Sequence, residues 1–212
     1  MIIPISSKDA EVLRSSELTT RVNEVFQTLG LEPLVPDDFG HNGLNQSVEI
    51  TRDEHQLTIG ATTYKVSDQG GDNLALPKWL SPLLERFARQ SLRSLKKLSS
   101  SGQARMDRHI LREVLKALAT RPQEDISLRN LAGACHRTPG YLGTNFQTFT
   151  GFSFRELLSI IRVKLVWDGL CKGSVMASEQ GFESGFGSVS QLNRSFKRIT
   201  GVTPSTVQPL VH

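Results

Sequence analysis

Apolar positions keep a helical rhythm from Leu18 to Leu29. Val22, Val25, Phe26 and Leu29 fall on one face, which predicts an amphipathic helix. Pro33 to Gly43 breaks that rhythm with Pro, Asp, Gly and Asn and predicts a loop. From Ser47 to Val66 the period drops to two: Val48 and Ile50, Leu57 and Ile59, and Tyr64 and Val66 alternate with polar neighbours. Asp53–Glu54 and Gly60 stand at the turns, so this stretch predicts a two- or three-stranded antiparallel unit, closed by SDQGGDN.

The helical period then returns. Leu80, Leu84, Phe87, Leu92, Leu95 and Leu98 form a stripe, while Arg86, Arg89, Arg93, Lys96 and Lys97 occupy the other faces. Ser81 suits a cap and Pro82 the first helical position. The stripe either packs on the core of its own domain or pairs with a second copy, through Leu84, Phe87, Leu95 and Leu98. Ser99 to Gly102 predict a flexible linker and so a domain boundary.

Beyond Asp107 the pattern predicts helices joined by short turns. Ile110, Leu111, Val114, Leu115 and Leu118 give one stripe, stopped before Pro122. Ser127 caps a segment with Leu128, Leu131 and Ala132 inward. Thr138-Pro139 opens another with Leu142 and Phe146 inward and Gly151 near its end. SFRE, Ser153 to Glu156, predicts a capping box at the head of a long helix running to Leu170, with Phe154, Leu157, Leu158, Ile161 and Leu165 inward. A polar segment from Val175 to Ser184, a helix from Ser188 and a Thr203-Pro204 helix start complete the chain.

Charge divides the 212 residues unevenly. Residues 1–78 carry six Lys/Arg against twelve Asp/Glu; residues 79–105 carry six against one; residues 106–212 carry thirteen against eight. An acidic head and a basic remainder suit a polyanionic partner. Neither apolar run length nor the opening MIIPISSKDA suggests a membrane span or a secretory leader, so a cytoplasmic protein is expected. Cys135 and Cys171 are too far apart for a CxxC site and are expected as free thiols in a reducing compartment. His41 and His55 are expected as loop and strand residues rather than ligands. Without a metal-ligand spacing, a Gly-rich phosphate loop or a nucleophile–base set, neither an enzyme nor a cofactor is expected.

Two blocks carry a more specific signal. SLRNLAGACHRTPGYLGTNFQTFTGFSFRELLSIIRV begins at Ser127, and GFGSVSQLNRSFKRITGVTPS runs from Gly185 to Ser205. Together they resemble the DNA-binding domain of AraC/XylS-family transcription regulators, over roughly residues 106–207. The resemblance implies two helix-turn-helix units held by one rigid helix. Their second helices would enter successive major grooves, about 34–36 Å apart. The expected organisation is a small α+β domain over residues 1–100, for sensing, interaction or dimerisation, and a mainly α DNA-binding domain over residues 106–212. Residues 1–100 suggest no particular family, and about 100 residues with some three strands are too few for the sugar-binding barrel that many relatives carry.

On a helix from Ser188, Leu192 and Phe196 face inward while Val189, Ser190, Gln191, Asn193 and Arg194 project outward. Arg is the type that reads guanine; Asn or Gln reads adenine. Lys197 and Arg198, one turn later, suit phosphates. The first unit departs from the pattern. PGYLGTNFQTFT holds neither Lys nor Arg, and Gly140 and Gly143 bare its face, leaving Tyr141 and Thr144 as base or phosphate candidates and His136 and Arg137 as backbone contacts. Gln180-Gly181 replaces the usual apolar–Ala pair, so a short or shifted scaffold helix is expected there. The resemblance thus implies a bacterial regulator that binds double-stranded DNA mainly through its second unit and activates by contacting RNA polymerase, with an effector that the residues do not identify. The alternative is an interaction protein or antagonist that has lost specific DNA binding and docks a partner through its N-terminal half.

Overall fold

The computed structural model describes residues 2–5, 13, 17–33, 46–68, 75–100, 105–173 and 176–207. Strand β1 (Ile2–Ile5) comes first, followed by helix α1 (Glu17–Thr28). Strands β2 (Gln46–Arg52), β3 (Gln56–Ile59), β4 (Thr62–Ser67) and β5 (Ala75–Pro77) follow. The sheet order is β1-β2-β3-β4-β5, antiparallel except for the parallel β4–β5 pair. The alternation places Ile50 opposite Ile59 and Leu57 opposite Tyr64. Asp53 closes the first turn by accepting from the His55 and Gln56 amides, both at 2.7 Å. Gly60, at φ 62°, leads the two-residue turn between β3 and β4, which needs a left-handed first residue. His55 sits in the first of these turns; His41 and the predicted loop from Leu34 to Gly43 lie outside the described residues, as do residues 69–74.

Two strands exceed the sequence expectation. IIPI pairs with β2, Ile3 opposite Val48, and Ala75–Pro77 pairs with β4, Val66 opposite Leu76. Both are too short to show a period, and their partners are distant in sequence for β1 and reached by a crossover for β5.

Helix α2 (Ser81–Ser100) lies across the sheet. It is longer than expected: Ser99 and Ser100, read as linker, continue it, while Ser101 and Gly102 lie outside the described residues. Ser81 does not cap it. Ser81 is its first residue, and its buried hydroxyl has no hydrogen-bond partner among the described residues. The apolar stripe packs inward. Leu84, Phe87, Leu92 and Leu95 are at most 2% exposed, and Phe87 meets Phe26 of α1 with ring centroids 5.0 Å apart. The dimer reading of Leu84, Phe87 and Leu95 is therefore corrected: the chain's own core covers them, so a second copy has no access to them. Leu98 belongs to the same helix, but its side chain lies outside the described set.

Helix α3 (Arg105–Thr120) packs on α1, with an Arg112–Glu17 ion pair between them. The second half continues with α4 (Leu128–Ala134), α5 (Pro139–Thr150), α6 (Phe154–Cys171), α7 (Ala177–Glu183), α8 (Val189–Thr200) and a 3₁₀ turn, Pro204–Thr206. One buried cluster runs from Ile3 through α1, the sheet and α2 to Ile161 of α6; a second joins Val163, Trp167, Phe186, Leu192 and Phe196. The expected α+β N-terminal part and mainly α C-terminal part thus share an apolar core.

Candidate nucleic-acid interface

The second unit is α7, a turn, and α8. Ser188 caps α8, its hydroxyl accepting from the Gln191 amide at 3.2 Å. Gln191 in turn accepts from the Gly187 amide at 3.2 Å, so its side-chain oxygen serves the cap. This changes the expected role of Gln191, because bidentate pairing with adenine would need that oxygen. Gly201, at φ 84°, ends the helix in the left-handed region. Leu192 and Phe196 are buried, Phe196 stacked on Trp167 with centroids 5.9 Å apart. Val189, Ser190, Asn193, Arg194, Lys197 and Arg198 are exposed. A shallow 510 Å³ groove gathers Val189, Asn193, Arg194 and Lys197 beside Thr203, Pro204 and Ser205. Thr203 and Ser205, whose hydroxyls are 3.0 Å apart, add polar groups that the spacing along α8 did not reveal.

The first unit is α4, a turn, and α5. Ser127 and Thr138 cap the two helices, accepting from the Asn130 and Tyr141 amides at 3.1 and 3.2 Å. His136, in the turn, has φ 53°, a left-handed conformation that His tolerates better than bulky side chains. Arg137 lies over the Tyr141 ring, its guanidinium carbon 6.0 Å from the centroid. Tyr141 and Thr144 are exposed, with Leu142 and Phe146 buried beneath. The outward face of α5 thus carries hydroxyls, amides and bare backbone, with Arg137 of the preceding turn beside it.

Helix α6 sets the two units apart. Ser153 caps it, accepting from the Glu156 amide at 3.3 Å, while the Glu156 carboxylate reaches Arg86 of α2 at 3.7 Å. Leu165 is only half-buried; Lys164 is buried in its stead and pairs with Asp168 at 2.5 Å. Arg162 donates to the carbonyls of Pro122 and Glu124 at 2.7 and 2.8 Å, tying down the turn before α4. Burial pushes its guanidinium below the ordinary value, with Asp125 opposing. Gly185, at φ 90°, packs against that same turn: a Cβ there would come within 2.8 Å of the Gln123 Cα. The second unit therefore touches the turn that leads into the first, at Gly185 and Gln123. As expected, α7 is short, at seven residues. Gln180 is not buried in the protein interior but half-exposed, lying over Gly169 of α6, and Gly181 leaves room for Leu192.

Residues 131–209 match the family described as "Helix-turn-helix domain". They form a helix-turn-helix domain. No curated protein matches the chain. Among solved structures it is similar to a Listeria innocua protein of unknown function, at 29% identity over 45% of this chain and 91% of that one, TM-score 0.43. It is also similar to the C-terminal domain of AraT, a response regulator from Geobacillus stearothermophilus, at 21% identity over 53% and 93%, TM-score 0.45. A third similarity is to unsaturated fatty acid bound ToxT from Vibrio cholerae, at 20% identity over 60% of this chain and 46% of that one, TM-score 0.37.

The helix-turn-helix domain is of the kind found in DNA-binding transcription regulators. Sequence reasoning singled out the outward residues of α8 but missed Arg162, Gly169 and Lys164, whose roles depend on neighbours distant in the chain. Among the described residues no helix is long and apolar enough to cross a membrane, and no group of three His, Cys, Asp or Glu could hold a metal. Cys171 is buried and Cys135 half-buried; burial pushes the Cys171 thiol up, Asp168 adds to this and Lys164 opposes it.

Proposed function

We propose that this chain is a sequence-specific transcription regulator that reads DNA mainly through α8. The observation that carries the reading is the face of that helix. Asn193 and Arg194 stand outward on an amphipathic helix capped at both ends, with Lys197 and Arg198 in its last turn. Arg194 reads guanine, Asn193 reads adenine, and Lys197 and Arg198 hold phosphates. Val189 and Ser190 contact base edges or methyl groups at the helix start. The first unit adds Tyr141, Thr144, His136 and Arg137 with little base preference. Activation through RNA polymerase, in the cytoplasm, is supported by the family resemblance.

Fluorescence anisotropy of the full chain against duplexes selected from a random pool, and against unselected duplexes, tests this. Preference for the selected duplexes by about a thousandfold or more is expected. Equal binding to both would sink the reading. Binding to neither would favour the second reading, an interaction protein, for which the observation is the cation-free face of α5.

A further inference from the structure

The segment from β5 to the end of α2 touches the first helix-turn-helix unit and, on α6, the helix that carries the second. Trp79, just before α2, lies 5.7 Å from Trp167 of α6, centroid to centroid, and Trp167 stacks on Phe196 of α8. Trp79 packs against both apolar clusters. Farther along α2, Arg86, Gln90 and Ser94 recur every four residues and so share one stripe. That stripe grips the end of α5. Arg86 donates to the Gly151 carbonyl, its guanidinium carbon stands 4.1 Å from the Phe152 centroid, and it pairs with Glu156. Gln90 donates to the Thr148 carbonyl at 2.5 Å, and Ser94 to the same carbonyl at 3.4 Å. The last carbonyls of a helix lack intrahelical donors, so these bonds satisfy groups that would otherwise need water.

We propose that Trp79, Arg86 and Gln90 are positioning residues that brace the two recognition helices against each other, so that residues 75–100 help set the half-site spacing the protein accepts. The proposal rests on the reading above that both units meet DNA. Helix α6 joins the units, and Arg162 and Gly185 both fasten on the turn before α4. Residues 75–100 add a strut of their own, anchored on Trp167 of α6, on which Phe196 of α8 stacks, and on the end of α5 through Arg86 and Gln90. One inserted base pair turns the second half-site by about a tenth of a turn and shifts it by about 3.4 Å, which a braced pair cannot follow.

The test uses the full chain and two readouts. Spin labels at Thr144→Cys and Ser190→Cys, in a Cys135→Ser, Cys171→Ala background, report the distance between recognition helices by pulsed electron resonance. Anisotropy on the selected duplex, and on the same duplex with one central base pair added or removed, reports spacing. The wild-type sequence is expected to show one narrow distance peak and, with the weak base preference of the first unit, to lose about threefold in affinity on insertion. Arg86→Ala with Gln90→Ala, changes on a half-exposed surface, and separately Trp79→Ala, are expected to broaden the peak about twofold and to abolish the insertion penalty. Trp79→Phe, which keeps an aromatic ring, is expected to restore both. An unchanged peak width with an unchanged spacing profile overturns the proposal. So does a lower melting temperature with affinity reduced equally at every spacing, since that is a structural role alone. If the wild type enriches no DNA but the peak still broadens in the variants, the brace stands and the DNA reading falls.

Discussion

Gln180 of α7 lies over Gly169 of α6. A Cβ on residue 169 would meet the Gln180 Cγ at 2.7 Å, so the long side chain on one helix occupies space left by the missing side chain on the other. Adding a methyl group at residue 169 should therefore overpack the contact. Gly169→Ala is expected to lower stability by about 1–2 kcal/mol despite the better helix propensity of Ala. Gln180→Ala in the same chain should recover that loss. Urea unfolding of both single variants and the double variant measures the coupling; additive effects would show the two residues to be independent.

The exposed face of α8 separates base reading from phosphate binding. Arg194→Ala is expected to cost about 1–3 kcal/mol on the selected duplex and little on random DNA. Lys197→Ala should weaken both alike and lower the salt slope by about one. Tyr141→Ala with Thr144→Ala should cost less than Arg194→Ala alone. Anisotropy titrations across a salt series decide each case, and equal losses for Arg194→Ala on both duplexes would make it a phosphate contact.

Gly185 is constrained twice, by φ 90° and by the backbone of Gln123. Gly185→Ala should cost more than about 2 kcal/mol, because both strain and a backbone clash oppose it. Gly187→Ala, where the nearest atom is a side-chain oxygen at 3.6 Å, should cost less than about 1 kcal/mol. Thermal melts of the two variants make the comparison.

Glu85 gives a pH-dependent link between sheet and helix. It accepts from Arg52 of β2 at 2.7 Å and from Arg89. Burial pushes its carboxyl up, and the two arginines outweigh burial and hold it below its ordinary value of 4.5. A folded pKa below the unfolded one means that stability is present above the unfolded value and lost as pH falls through the folded one. Glu85→Gln is therefore expected to be less stable than wild type near about pH 7, with the gap closing as pH falls below the ordinary carboxylate value. A gap constant with pH in urea melts would show that the charge of Glu85 contributes nothing.

The local elements were legible in the order of residues because local physics makes them. Val22, Val25, Phe26 and Leu29 repeat at the helical period, and Ser127, Thr138, Ser153 and Ser188 accept from amides three residues on. The face of α8 was legible for the same reason, since one stripe of apolar residues leaves only one way to point Asn193 and Arg194. What faces each stripe depends on segments far away. Leu84, Phe87 and Leu95 would look the same on a helix that pairs with another copy; the sheet and α1, folded over them, left no such seam. β1 and β5 exist because β2 and β4 offer them an edge. Gln180 seemed to need a buried partner until Gly169, on another helix, supplied bare backbone for it. Burial, crossing helices and shared cores are properties of pairs distant in sequence, so the strut from Trp79 to Gln90 belongs to the tertiary structure alone.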